Sequence, residues 1–245
     1  IWTRAVYYEG LMALHTIYPR ADYYDYAYNW AEFHKWGLRG GNTTRNADDH
    51  CCGQVYIELY KICPEPYKIK NISTTMDMLV NTPQVDDWTW IDAIQMGMPV
   101  FAQLGKVKGE QRYYDKMWQM YSCSRNEIGG TGLFNAKDGF WNVSLHDESN
   151  FGGKETSGTT LFIYGMAWGI RNGLLDKKEY LPVVLKAWDA VVKESVHPNG
   201  FLGYVQGSGK EPKDSQPVTY TGIPDFEDYG VGCFLLAGTE VYKLD

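Results

Sequence analysis

The sequence predicts an all-α protein of the (α/α)6-barrel type, a toroid in which an outer ring of helices surrounds an inner ring. Three observations predict this class. Apolar residues recur at helical spacing along most of the chain, whereas apolar–polar alternation of strand length is hard to find. Helical segments of two compositions alternate. The loops that lead into the nearly all-apolar segments are long, and the loops that lead into the segments with one charged face are short.

The predicted helices alternate between an inner and an outer type. The inner type is apolar or small on nearly all sides, which indicates burial on all sides, and the outer type is charged on one face. The inner segments are 3–18, 47–60, 86–105, 154–170 and 226–244, and the outer segments are 22–36, 65–80, 109–122 and 177–195. These are about nine of the twelve helices of a closed ring, so the barrel is expected to be incomplete.

The loops of such a toroid predict where function lies. All inner helices of the ring run in the same direction, so their N-termini meet at one rim. Loops entering inner helices are long and rich in Gly, Asn and Thr, as in GLRGGNTTRN (37–46), while returns such as KICPEP (61–66) are short. Functional residues are therefore expected in the long loops of that rim.

Composition and charge exclude several classes of function. The chain of 245 residues is 44% hydrophobic, enough for the core of a single domain spanning residues 1–245. A net charge of −7 without a lysine or arginine cluster argues against nucleic-acid binding. No apolar run is long enough for a membrane span, and residues 1–20 lack the pattern of a signal peptide.

The cysteines and aromatic residues are the other compositional signals. The five cysteines are expected to be buried thiols, because the adjacent Cys51 and Cys52 have neither the spacing nor the second pair of a zinc site. No metal or other cofactor is predicted. Aromatic residues make up 15% of the chain, which fits a large aromatic core and rings that stack on sugars equally well.

Acidic residues open the inner helices and form the main candidate constellation. Asp86 and Asp87 are expected to start a helix, and Asp92 follows a turn and a half later, about 8 Å below the rim. Burial would raise the pKa of Asp92, whereas Asp48 near a helix N-terminus should stay ionised; such a pair suits general acid–base catalysis. The alternatives are that these acids are helix caps, and that Asp92 is a hydrogen-bonded structural residue.

Basic residues lie in the same predicted rim region, namely Arg4, Arg39, Arg45 and Lys154. Arginine binds a carboxylate through two parallel hydrogen bonds, so one or two of these residues are candidates for holding an acidic substrate. Solvated surface charge is the alternative explanation. His50 and His146 are further candidate donors in these loops.

Several segments together resemble glycoside hydrolase family 105, the unsaturated rhamnogalacturonyl hydrolases. They are WTRAVYYEGL (2–11), HKWGLRGGNTTRNADDHCCGQ (34–54), DDWTWIDAIQMGMPV (86–100), KETSGTTLFIYGMAWGIRNGLL (154–175), HPNGFLGYVQ (197–206) and EDYGVGCFLLAGTEVYKL (227–244). The resemblance covers most of the chain and implies an (α/α)6 barrel. It also implies an enzyme that removes an unsaturated galacturonyl residue from the non-reducing end of rhamnogalacturonan fragments by hydrating its C4=C5 double bond.

The resemblance assigns roles to particular residues. Asp92 matches the aspartate that protonates C4 and directs water to C5, and Asp48 matches a second aspartate that assists; no metal is needed. The expected partner is an unsaturated uronate-containing oligosaccharide, and a bacterial periplasmic or cytoplasmic location is implied. The predicted substrate-binding residues are Arg4, Tyr8, Arg39, Arg45, Trp88, His146, Lys154, Glu155 and Ser157.

Two departures from the family pattern leave alternatives open. The family's W-S-R-G-N-G-W motif is absent, since GLFNAKDGFW (132–141) runs directly into NVSLHDESNFGG (142–153), and the first helix is missing. These gaps match the three helices that the ring lacks. The alternatives are a non-catalytic relic or sugar-binding scaffold, and an ordinary inverting α/α-barrel glycosidase with two carboxylates roughly 6.5–9.5 Å apart.

Overall fold

The computed structural model describes residues 2–128, 138–144, 149, 151–209, 211, 213–223 and 228–244. The helices are α1 (Trp2–Ile17), α2 (Ala21–Phe33), α3 (Ala47–His50), α4 (Cys52–Ile62), α5 (Tyr67–Val80), α6 (Asp92–Lys108), α7 (Gln111–Ile128), α8 (Thr156–Arg171), α9 (Lys177–Glu194) and α10 (Asp228–Tyr242). Only Cys51 separates α3 from α4. Counted as one interrupted helix, they bring the total in the described ranges to nine, and each coincides with a predicted segment. The all-α class is confirmed.

The chain is organised as two compact units. The first comprises Ile1–His15 and Pro19–Thr131, and the second comprises Thr16–Tyr18 and Gly132–Asp245. The first unit thus holds α2 to α7 and nearly all of α1, and the second holds α8 to α10. The single domain expected for residues 1–245 stays a prediction.

The core of the first unit is rich in aromatic rings. Tyr8 of α1 stacks on Trp30 of α2 with 4.6 Å between ring centroids, and the buried rings of Trp36 and Tyr56 lie 5.3 Å apart. Ala27 and Ala31 of α2 are buried in the same cluster. Many of the aromatic residues therefore form the core of this unit, which is the first of the two explanations given for the high aromatic content.

The second unit packs α8, α9 and α10 around an aliphatic core. Ile163 of α8, Val184 and Ala187 of α9, and Ala237 of α10 are buried there. A two-residue antiparallel hairpin, β1 (Trp141–Asn142) with β2 (Lys154–Glu155), precedes α8. The hairpin is too short to produce the apolar–polar alternation by which strands are detected in a sequence.

The start of α6 differs from the prediction. This helix begins at Asp92 rather than at Asp86, so Asp92 lies in its first turn and is exposed to solvent instead of being buried some 8 Å deep. The preceding residues follow an irregular path, in which the buried Trp88 lies against the backbone of Gly97 and packs edge-on against Phe101. A helical start at Asp86 would break this packing.

Polar contacts hold the irregular segment before α6 in place. The buried amino group of Lys116 donates to the carbonyls of Thr82 and Gln84, at 2.7 and 2.5 Å. The Ser124 hydroxyl donates to the carbonyl of Trp88 at 2.8 Å. Because α7 supplies both donors, the entry into α6 is fixed from a neighbouring helix rather than by its own helical hydrogen bonds.

Candidate active site

Asp48 lies in the short helix α3 and is free of any capping role. The N-cap of α3 is Asn46, whose side chain accepts a hydrogen bond from the backbone N–H of Asp48 at 3.0 Å. The neighbouring Asp49 is buried and fully used, accepting from Arg39 Nε at 2.8 Å and from the Thr44 hydroxyl at 2.7 Å. Two adjacent acids therefore have different tasks, and the half-buried Asp48 carboxylate is the available one.

Asp92 presents its carboxylate at the first turn of α6, and α3 packs against α6. Backbone N–H groups of its own turn bond to the carboxylate and favour ionisation, but desolvation by the surrounding protein outweighs them and raises the pKa of Asp92. No side chain in the described parts of the chain donates to either Asp48 or Asp92. Both carboxylates are thus left without a side-chain partner.

The two aspartates influence each other electrostatically. The pKa of Asp48 is raised, first by burial and then by the negative charge of Asp92, while Arg39 opposes the shift. Both pKa values therefore move upward, whereas burial was expected to raise that of Asp92 alone. Like charges in one site disfavour double ionisation, which is the reason that the charge of Asp92 raises the pKa of Asp48.

Glu9 is a further acid of this unit, and the sequence analysis missed it. It lies on α1, with 7% of its surface exposed, and burial raises the pKa of its carboxyl to about 7. Hydrogen bonds from Cys51 and Gln95 oppose that shift. The signal that could have revealed Glu9 is an acid inside a nearly apolar helix, the same signal that drew attention to Asp92.

The predicted basic residues of this unit differ in their contacts and exposure. Arg45 donates from Nε and Nη2 to the two oxygens of Asp87, both at 2.6 Å. This ion pair occupies the face of the guanidinium that would bind a substrate carboxylate. Arg39 uses only Nε on Asp49, and more than half of its side chain is exposed. Arg4 is exposed on α1. Burial raises the pKa of Tyr8, and the positive charge of Arg4 partly opposes that rise. The role proposed for Arg45 is corrected accordingly.

Two predicted aromatic contacts to substrate are also corrected. Trp88 is 1% exposed beneath α6, and Tyr8 is buried in the aromatic cluster of α1 and α2, so neither ring faces solvent. The exposed ring at this position is Trp90, which is 57% exposed two residues before Asp92. Trp90 is not among the predicted contacts, because its sequence surroundings indicate a buried helix.

Two candidates of the second unit, Glu155 and Ser157, form the start of α8. Glu155 is the N-cap of α8 and accepts from the backbone N–H groups of Ser157, Gly158 and Gln206 at 3.0, 2.5 and 3.2 Å. The Ser157 hydroxyl donates to the same carboxylate at 2.7 Å. Lys154 pairs with Glu194. The capping alternative is confirmed for Glu155, and His146 lies outside the described residues.

Other predicted features can be compared with the structure. Cys51 and Cys233 are buried, whereas Cys63 is exposed, so burial holds for only part of the set. His50 is buried with Nε2 bonded to the Thr44 carbonyl, which gives it a structural contact. Among the described residues no group of three or more potential ligands could hold a metal ion. The helices described here include none with the length and apolarity to cross a bilayer.

The geometry gives the first unit a pair of carboxylates suited to proton transfer. A carboxyl whose pKa is raised keeps its proton closer to neutral pH and can donate it, while an ionised neighbour can accept one from water. Arg39 adds positive charge near Asp48.

Comparisons with known proteins agree with this picture. The family model described as Glycosyl Hydrolase Family 88 matches residues 1–136 and 131–245. An unsaturated 3S-rhamnoglycuronyl hydrolase from Formosa agariphila is 38% identical over 109 residues, covering 44% of this chain and 27% of the relative. The chain thus spans about a quarter of that relative's length.

Solved structures share the fold over the whole chain. A glycosyl hydrolase family 88 protein from Bacteroides vulgatus has a TM-score of 0.87 at 24% identity, covering 100% of this chain and 92% of that one. A possible member of the GH105 family from Salmonella enterica has a TM-score of 0.76 at 16% identity, covering 99% and 82%. The predicted (α/α)6-type fold is confirmed by these neighbours. The chain belongs to Glycosyl Hydrolase Family 88.

Proposed function

We propose that this chain carries the acid–base pair of a hydrolase that removes an unsaturated uronate from the non-reducing end of an oligosaccharide. The observation that carries the proposal is the pair Asp48 and Asp92. The two acids lie on packed helices, both have raised pKa values, and neither accepts a hydrogen bond from a described side chain. The name of the Formosa agariphila relative supports a rhamnose-bearing remainder, in keeping with the rhamnogalacturonan fragment expected from the sequence.

The proposed reaction adds one water across the C4=C5 double bond. The Asp92 carboxyl gives its proton to C4, and Asp48 accepts a proton from the water whose oxygen bonds to C5. The resulting hemiketal opens to a ketone at C5 and leaves a hemiacetal at C1. Collapse of the hemiacetal to an aldehyde releases the remainder of the oligosaccharide as an alcohol. Two neighbouring carboxyls suit this exchange, because one member must donate a proton and the other must accept one.

The substrate carboxylate and sugar face have candidate contacts in the same unit. Arg39 uses only Nε within the described structure, so its terminal nitrogens remain for a uronate carboxylate. The exposed indole of Trp90, close in sequence to Asp92, offers a flat apolar surface for a sugar ring. Arg39→Ala is therefore expected to raise KM more than it lowers kcat.

Hydrolysis of an unsaturated disaccharide tests the proposal, followed through the ultraviolet absorbance of its double bond. Asp92→Asn should lower kcat by about a thousandfold, because it removes the proton donor. Asp86→Asn is the matched control, since Asp86 is an exposed acid of the same segment. Absence of turnover by the wild-type protein, or full activity of Asp92→Asn, would contradict the proposal.

An ordinary inverting glycosidase is the second candidate, because it also needs two facing carboxylates. Such an enzyme would hydrolyse the saturated oligosaccharide and would leave the absorbance of a double bond unchanged. Incubating the same protein with saturated and unsaturated substrates distinguishes the two reactions. Turnover of neither substrate would instead favour the non-catalytic scaffold.

A further inference from the structure

A single buried carboxylate joins three helices of the first unit. Glu9 of α1 accepts a hydrogen bond from the Gln95 amide at 2.9 Å through Oε2. Through Oε1 it accepts one from the Cys51 thiol at 3.1 Å. Gln95 lies on α6, and Cys51 is the residue between α3 and α4. One side chain of α1 therefore contacts both elements that carry the candidate catalytic aspartates.

The positions of these two partners are equivalent. Cys51 follows Asp48 by three residues, and Gln95 follows Asp92 by three residues. In a helix, residues three apart lie on the same face about one turn apart. Glu9 therefore binds each of the two aspartate-bearing turns at the same place relative to its aspartate.

The contacts of Glu9 are well suited to hold a fixed geometry. The pKa of the Cys51 thiol is raised well above its ordinary value by burial and by the charge of Glu9, so the thiol keeps the proton that it donates. The amide of Gln54 on α4 also donates to the Gln95 carbonyl, at 2.9 Å, which ties α4 to the same turn of α6. The link between the two turns is thus made twice, by Glu9 and by Gln54.

We infer that Glu9 is a positioning residue, which sets the relative placement of the Asp48 and Asp92 carboxylates by binding the residue one turn after each. The inference rests on the proposed function, because it assumes that these two aspartates do the chemistry. Glu9 itself touches neither aspartate in the hydrogen bonds described, so its effect passes through Cys51 and Gln95.

Two substitutions of Glu9 separate positioning from charge. Glu9→Ala removes both bonds and should lower kcat by about a hundredfold while KM changes little, because small displacements of catalytic groups are costly. Glu9→Gln can keep both bonds. The side-chain oxygen of the new glutamine accepts from Cys51. Its amide nitrogen donates to Gln95 Oε1, after the Gln95 side-chain amide has rotated by half a turn. In the wild-type protein this Gln95 Oε1 is buried and has no hydrogen-bond partner. This variant should retain kcat within about fivefold.

A matched control addresses simple loss of stability. Asp77 also joins helices, accepting from Lys108 at the opposite end of α6 at 3.0 Å and from Arg112 of α7 at 2.7 Å. Asp77→Ala should lower the melting temperature and leave kcat unchanged. A Glu9→Ala variant with kcat close to wild type, or a Glu9→Gln variant as impaired as Glu9→Ala, would overturn the inference.

The thiol arm provides a second test if Glu9→Ala does not fold. Cys51→Ser keeps a donor to Glu9 and should restore most of the kcat that Cys51→Ala loses. Equal activity of the two variants would overturn the inference.

A readout without substrate separates this inference from the proposed function. Backbone amide exchange at residues 49–52 and 93–96 should be faster in Glu9→Ala than in the wild-type protein, and not in Asp77→Ala. Unchanged exchange would overturn the positioning role whatever the activity. A wild-type protein with no turnover, but with this exchange pattern, would contradict only the proposed function.

Discussion

Three helices of this chain begin with similar acidic residues that differ in chemistry. At the start of α8, Glu155 accepts hydrogen bonds from three backbone N–H groups and one hydroxyl. At the start of α3, Asn46 caps the helix in place of an acid, and no described side chain donates to Asp48. At the start of α6, Asp92 accepts only from backbone N–H groups of its own turn, and no described side chain donates to it. An acid that also binds a side-chain donor and a distant backbone N–H, as Glu155 does, is fixed in the structure, whereas one that lacks such donors remains available for chemistry. The pattern of acids alone does not distinguish the two cases.

The largest expected effect concerns Glu9, a buried acid that should destabilise the fold when it ionises. The pKa of its carboxyl is about 7 in the folded protein against an ordinary 4.5. The folded state therefore holds the proton more tightly, and the stability that this contributes is full below pH 4.5 and lost as the pH rises through 7. The loss amounts to about 3 kcal/mol.

Urea denaturation of the wild-type protein and Glu9→Gln between these pH values measures this effect. The free energy of unfolding of the wild type should fall relative to that of the variant as the pH rises. A parallel pH dependence of the two proteins would contradict the assigned ionisation of Glu9.

The next effect sharpens the comparison within the segment before α6. Arg45→Ala leaves the buried carboxylate of Asp87 without its bidentate partner, and the free energy of unfolding should fall by about 2 kcal/mol. Arg39→Ala is the matched arginine variant. It should cost less, because Arg39 is more than half exposed, contacts Asp49 through Nε alone, and leaves Asp49 its hydrogen bond from Thr44. Equal losses by chemical denaturation would show that Arg45 is not the more structural of the two.

The comparison itself is tested by alanine at each helix start. Glu155→Ala should lower the free energy of unfolding by about 1 kcal/mol, because α8 loses its N-cap. Asp48→Ala should not destabilise the protein, since Asn46 keeps the cap of α3. A loss of stability in Asp48→Ala as large as that in Glu155→Ala would break the distinction.

The smallest effect concerns the coupling of the two aspartates. Removing the negative charge of Asp92 by Asp92→Asn should lower the pKa of Asp48, because repulsion by Asp92 helps to raise it. Titration of the Asp48 carboxyl carbon by NMR measures the shift. A pKa of Asp48 that does not respond would show that the two acids do not form one site.

The sequence predicted the helices well and the details of the site less well, for physical reasons. Helical periodicity extends over a dozen or more residues, so all nine helices of the described ranges were placed. The start of α6 was misplaced because Trp88 and Ser124, far apart in sequence, decide the path of the chain before Asp92. Long-range pairs of this kind leave no local periodic signal.

The same limit applies to individual side chains. Arg45 and Arg39 occur in one loop with similar sequence surroundings. Only Arg45 donates two hydrogen bonds to a carboxylate of a distant segment, whereas Arg39 donates one to Asp49. Asp92 was identified correctly as an acid with a raised pKa, although partial desolvation at a helix start raises it rather than the deep burial that was expected.

One residue of α6 explains how the neighbouring helix can bind to it so closely. Pro99 lies inside α6 and has no N–H, so the carbonyl of Gln95, four residues earlier, lacks its usual helical donor. The Gln54 amide of α4 takes that place at 2.9 Å. The gap in the hydrogen-bond ladder of one helix thus becomes the attachment point for another. Pro99→Ala would restore a competing donor and loosen that attachment next to the turn that carries Asp92.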